Sequence, residues 1–117
     1  MAKHLNQGRH AEKIAASYLE KNGYQIVETN YRSGKAEVDI IAKKGIFMVF
    51  VEVKSLKKVN FGHPETNITS HKTALLFQAA NAFQFETKWN QEIRFDAIAV
   101  TFLQQAYKIE HFEDAFS

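Results

Sequence analysis

Leu5, Gly8, Ala11, Ala15, Tyr18 and Leu19 recur at intervals of three and four residues, which lays an apolar stripe along a helix over residues 4 to 22. Asn22-Gly23 supplies its stop, because glycine readily takes the left-handed conformation that closes a helix. The period then falls to two. "YQIVETNYR" alternates as a strand, and "AEVDIIA" and "IFMVFVEVK" follow as two more, joined in a hairpin at Lys43-Lys44-Gly45. The third has apolar residues at nearly every position, the mark of a central strand covered on both faces. "SLKKVNFGHPETN", with Gly62 and Pro64, reads as an exposed loop. Thr69 or Ser70 can cap a second helix running to Thr87, with Leu75, Leu76, Ala79, Ala82 and Phe83 on its buried side. "IRFDAIAVTF" and "AYKIEHF" close the chain as two strands around a Gln104-Gln105 turn. The order α-β-β-β-α-β-β predicts an α/β (α+β) fold: a single mixed sheet flanked by helices.

Composition narrows the class. At 117 residues and 45% hydrophobic, the chain can build one real core, and residues 1 to 117 are expected to form one domain. Without cysteine there is neither a disulfide framework nor a thiolate zinc site, so any metal must sit on oxygen or imidazole. "MAKHLNQGRHAEK" has no apolar signal core, and the longest apolar run, Ile46 to Val51, is too short to span a bilayer. A cytoplasmic protein with no membrane partner is expected. The net charge is only +2, but residues 1 to 60 hold eleven Lys or Arg against six acids, while residues 61 to 117 hold four against seven. A basic first half favours phosphate-rich partners, although a plain solvated surface gives the same charge count.

The apolar run from Ala36 to Ser55 nonetheless carries Glu37, Asp39, Glu52 and Lys54. Ionised groups rarely enter an interior without partners, since desolvation costs at least several kcal/mol. Strand alternation puts Glu37 and Asp39 on one face of their strand, and Glu52 and Lys54 on one face of the next. A hairpin turning on Lys44-Gly45 sets Glu37 opposite Glu52 and Asp39 opposite Phe50, diagonal to Glu52, within reach of one small ion. Gathered carboxylates repel unless a proton or cation intervenes, and hard oxygen ligands suit Mg²⁺ or Mn²⁺. The plain alternative is that Glu52 and Lys54 end a strand in solvent and Asp39 pairs with a nearby Lys. Glu12 lies on or beside the first helix's apolar stripe, where it either joins the cluster or pairs with Arg9. Lys72 falls in the first turn of the second helix, where the macrodipole disfavours a cation; it is placed to meet a phosphate or to snorkel.

With these residues assembled, the sequence resembles the YraN family of predicted endonucleases, which is similar to the archaeal Holliday-junction resolvases of the PD-(D/E)XK nuclease superfamily. The resemblance rests on "GRHAEKIAASYL", "NYR" at Asn30 to Arg32, "AEVDIIA", "VFVEVK" at Val49 to Lys54, Phe61-Gly62, Lys72, "RFDAIAV" and "HFEDAF", in that order. It implies a restriction-endonuclease-like core in which Asp39 is the metal-binding Asp, Glu52 and Lys54 form the carboxylate-x-Lys pair, and Glu12 completes the metal site. Glu37 belongs to the same motif. Ala36 stands where the family usually has Gly, and Ser55-Leu56 follows the lysine where an Arg is usual, leaving Lys57 and Lys58 as substitutes.

What the resemblance implies is a metal-dependent endonuclease hydrolysing phosphodiester bonds of nucleic acid, DNA ahead of RNA and branched DNA included. Asp39, Glu52, Glu12 and the Val53 carbonyl would hold Mg²⁺ or Mn²⁺, with Lys54 orienting the attacking water or stabilising developing charge. Substrate phosphates would lie along Arg32, Lys35, Lys57, Lys58 and Lys72. The rival readings are a nucleic-acid-binding domain that does not cut and an interaction module keeping the acidic cluster as a relic. A homodimer stays open.

Overall fold

The computed structural model describes residues 3–57 and 70–116. Its elements follow the predicted order: α1 (Lys3–Lys21), β1 (Gln25–Ser33), β2 (Ala36–Lys44), β3 (Phe47–Lys57), α2 (Ser70–Thr87), β4 (Glu92–Phe102) and β5 (Tyr107–Phe112). The five strands form one sheet in the order β1-β2-β3-β4-β5. Neighbours run antiparallel except β3 and β4, whose parallel pairing follows from α2 lying between them in the chain. No helix among the described residues is long and apolar enough to cross a membrane. The Thr69 cap, Phe61-Gly62, Pro64 and Lys58 fall outside the described residues.

β3 is the central strand, and its continuous apolar run serves two cores. Val49 and Val51 pack with Ile40, Ala42, Ile98 and Val100 against Ala11, Ile14, Ala15 and Leu19 of α1. Met48 and Phe50 point the other way, joining Tyr31, Val38 and Ile41 beneath Leu76, Ala79, Ala80 and Phe83 of α2. Phe50 meets Phe83 edge to face at 5.7 Å. Alanines on both helices let them sit close to the sheet, which positions whatever their N-terminal halves carry.

Two features of β1 and β2 shape the site. The β2–β3 hairpin turns on Gly45-Ile46 rather than Lys44-Gly45, pairing Ile41 with Phe50 and Lys44 with Phe47. Glu37 is therefore not opposite Glu52, nor Asp39 opposite Phe50. A two-residue turn needs a left-handed first residue, and Gly45 takes that role with φ of 59°. Lys44 is held in the strand by its ammonium, which donates to the Asn22 carbonyl at 2.9 Å and lies over the Tyr24 ring. The second feature lies further along the ribbon, where Thr29 pairs with Ile40 and Tyr31 with Val38. Regular alternation would put both pairs on one face, yet Ile40 packs on the α1 side while Tyr31 and Val38 pack on the α2 side. The ribbon turns over between them, at Asn30 and Asp39, and Asn30 absorbs the change with φ of 52°. Asparagine tolerates that conformation better than most side chains.

A separate polar knot ties β4 to β5. Asp96 is fully buried and accepts hydrogen bonds from Arg94 Nε at 2.9 Å, from Arg94 Nη2 at 2.8 Å and from the Asp114 N–H at 3.0 Å. His111 Nε2 lies 2.7 Å from the same carboxylate and Nδ1 lies 3.0 Å from the Tyr18 hydroxyl. Burial alone would push the Asp96 carboxyl up, but His111, Arg94 and the amide of Asp114 outweigh it and hold it below the usual carboxylate range.

Candidate active site

At the end of the sheet where the β2–β3 ladder stops, at Ile40 and Val51, a cleft of about 350 Å³ opens between the N-terminal halves of both helices. It is lined by Gly8 and Glu12 of α1, Lys35, Glu37 and Asp39 of the β1–β2 ribbon, Glu52, Val53 and Ser55 of β3, and Lys72 and Leu75 of α2. β3 alternation carries Glu52 to the α2 side, where it is buried and ion-paired with the Lys72 ammonium. Asp39, at the point where the ribbon turns over, reaches β3 instead: its Oδ2 accepts the Val53 N–H at 2.8 Å. Asn30, across the ribbon, donates from Nδ2 to Glu12 Oε1 at 3.1 Å. The kink thus ties α1, β2 and β3 to one place.

The electrostatics are those of crowded carboxylates. Burial, then the neighbouring Glu52 charge and more weakly Glu12, push the Asp39 carboxyl up to about 7, against the opposing Val53 N–H and Lys72. Burial also lowers the Lys54 ammonium, with Lys72 adding to the effect and Glu52 and Asp39 opposing it. Those two acids and two lysines therefore sense one another's charge. Arg32 and Glu37 form an exposed pair at 3.6 Å on the rim, the kind that adds little to stability.

The comparisons with known proteins agree on a single family. Residues 11–100 match the model of the family described as "Uncharacterised protein family UPF0102". The chain belongs to that family. A UPF0102 protein of Flavobacterium psychrophilum is 44% identical over 116 residues, covering 99% of this chain and 98% of its own. One from Christiangramia forsetii is 40% identical over 116 residues with the same coverage, and one from Thermodesulfovibrio yellowstonii 40% over 112 residues, 96% of each chain.

In this UPF0102 chain the residues singled out by the sequence converge to different degrees. Asp39, Glu52, Glu37, Glu12, Val53, Lys35 and Lys72 share the cleft. Lys54 is coupled to it through charge, and Arg32 sits on its rim beside Glu37. Lys57 is exposed and lines an adjoining recess of about 210 Å³ with Gln7, Gly8 and Ser55. Lys58 lies outside the described residues. Glu52 is not a solvated strand end, and Glu12 bonds Asn30. Two site residues escaped the sequence reading. Asn30 carried a signal in its tolerance of left-handed backbone. Ser55 carried none; its Oγ is buried in the cleft wall without a hydrogen-bond partner among the described residues.

The donor set is suited to a hard divalent cation: carboxylates from three elements, a nearby main chain and an unsatisfied hydroxyl, with no soft ligand. As the side chains stand, no three Asp, Glu or His among the described residues converge on a single ion position. The Lys72 ammonium neutralises Glu52 instead.

Proposed function

We propose that this UPF0102 protein is a metal-dependent endonuclease that hydrolyses phosphodiester bonds of nucleic acid. The observation that carries this reading is the convergence of Asp39, Glu52 and Glu12, from three separate elements, on a cleft that also holds Lys35 and Lys72 and feels Lys54. Burying several like charges in one place is costly unless a cation or a reaction uses them. Asp39 and Glu52 would hold Mg²⁺ or Mn²⁺, with Glu12 and the Val53 carbonyl as further ligands. The ion would supply Lewis-acid polarisation of a phosphate oxygen and a water activated for attack.

The chain's own residues divide the remaining work. The Val53 N–H engages one oxygen of the Asp39 carboxylate, and Asn30 one oxygen of Glu12, which would restrict both side chains before any ion arrives. Lys54, its ammonium destabilised by burial, is suited to orient water or to meet negative charge growing on the phosphate. Lys35, Arg32 and Lys57 offer charge to the flanking backbone at and beside the cleft. DNA is the favoured substrate, with branched forms included, and a cytoplasmic location is proposed with it.

Labelled duplex, flap, four-way junction and RNA incubated with Mn²⁺ test the reading. Cleavage abolished by Asp39→Asn is expected; a clean preparation that cuts none of the four overturns it. The Lys72–Glu52 pair favours one second reading, a domain that binds nucleic acid without cutting, because an acidic site already neutralised has less need of an ion. A salt-sensitive gel shift with no cleavage would select that reading.

A further inference from the structure

We infer that Lys72 is a tethered cation that holds the metal position at Glu52 and hands itself to a substrate phosphate when the divalent ion arrives. The inference rests on the metal-dependent reading above and assigns Lys72 a role in regulating that site.

Three observations lead to it. Glu52 is nearly enclosed, its side chain 8% exposed, so its charged form calls for a positive partner. Lys72 is that partner, yet it sits in the first turn of α2, where the helix dipole repels an ammonium, and helix stability does not explain it. The ion pair with Glu52 does. The Lys72 side chain is also 43% exposed and lines the open cleft, so its long stem can swing without disturbing the core.

The consequence is an exchange. The Lys72 ammonium contacts Glu52 Oε2, and a divalent ion taking that oxygen competes with it and repels it at that range. Metal binding at that oxygen then displaces Lys72. The displaced ammonium remains anchored to α2 at the cleft, which Lys35 also lines and where a phosphate drawn to the metal would lie. Glu52 is thus never left bare, and Lys72 contributes to nucleic-acid binding only once the site is loaded. The exchange links the two binding events: metal releases the lysine, and phosphate holds it away from Glu52.

Mn²⁺ titration calorimetry on the intact protein tests the first half. Lys72→Met should bind Mn²⁺ more tightly by roughly tenfold, within the usual range of couplings between sites. Lys72→Arg, which keeps the ion pair, should stay close to wild type. Lys72→Gln, able to hydrogen-bond Glu52 without a charge, should show the same tightening and serves if Lys72→Met does not fold by circular dichroism. Wild-type binding that Lys72→Met and Lys72→Gln leave equal or weaker overturns the exchange but leaves the endonuclease reading standing. Absence of Mn²⁺ binding in wild type and variants alike overturns both.

Fluorescence anisotropy with a short labelled duplex, in a Lys54→Ala background, tests the second half. The affinity lost on adding Lys72→Met should be small in EDTA and several-fold larger in Mg²⁺. An equal loss in both buffers would show that Lys72 meets the phosphate, or ignores it, without regard to the metal, and would overturn the handover.

Discussion

Asp39 Oδ2 accepts the Val53 backbone N–H at 2.8 Å, two residues beyond the last β2–β3 pair, so a carboxylate takes over where the main-chain ladder ends. The acid at the centre of the proposed site is therefore also part of the fold. Asparagine at this position keeps an oxygen for the Val53 amide while removing the charge.

That pairing of roles gives a pH prediction. The folded-state value of Asp39 is raised from 3.8 to about 7, so between those values the native state binds more protons than the unfolded state. Stability of the metal-free protein then falls as pH rises through this window, with the full penalty present above it. Asp39→Asn removes the penalty. Thermal unfolding in EDTA should find the variant more stable than wild type by about 1–3 kcal/mol above neutrality and indistinguishable near the lower limit of the window. Mn²⁺ should raise the melting temperature of wild type and much less that of the variant.

Lys54 separates cutting from binding. Its ammonium feels Asp39, Glu52 and Lys72, and the endonuclease proposal gives it a part in the chemistry while spreading binding over many cations. Lys54→Ala should lower the cleavage rate by about 10²-fold or more while leaving substrate affinity within a small factor. Single-turnover cleavage alongside anisotropy measures both; parallel losses would place Lys54 in binding alone.

Asp96 makes the opposite kind of prediction. With Arg94, His111 and the Asp114 amide all directed at it, Asp96→Ala leaves a half-buried guanidinium and a half-buried imidazole without the carboxylate they share. A loss of about 3–5 kcal/mol is expected by urea unfolding. Because the Asp96 carboxyl is held below its usual range, the wild-type knot contributes above that range and is lost only as pH falls beneath it. Variant and wild type should converge in stability in strong acid.

How much of this was legible in the sequence depended on how local each feature is. The apolar run of β3 announced a central strand because each of its residues reports independently on burial. The hairpin register was misplaced by two residues because it depends on which residue takes positive φ, and the glycine occupies the first central position rather than the second. The turnover at Asn30 and Asp39 was invisible because two strands change faces together, each excusing the other's broken alternation. Lys72 and Glu52 meet only once α2 is docked, which no spacing encodes. Asp96 is different: Arg94-x-Asp96 inside an apolar strand puts both side chains on one face, a signal that could have been read as a buried pair.

The last prediction concerns Lys57, which is exposed at the end of β3 and lines the recess adjoining the cleft through Gly8 and Ser55. If that recess continues the path of the substrate backbone, Lys57 meets a phosphate away from the scissile one and contributes charge without chemistry. Lys57→Ala should then weaken binding of duplex, flap and junction by similar factors and reduce the slope of log affinity against log salt by about 1. The cleavage rate at saturating substrate should stay within a factor of about two, since a contact made equally in ground and transition states affects binding alone. Asp39→Asn should act with the opposite sign on metal-free binding, removing a negative charge from the cleft and strengthening it. Anisotropy titrations across a salt series distinguish the two, and an unchanged slope for Lys57→Ala would place the nucleic acid on another side of the cleft.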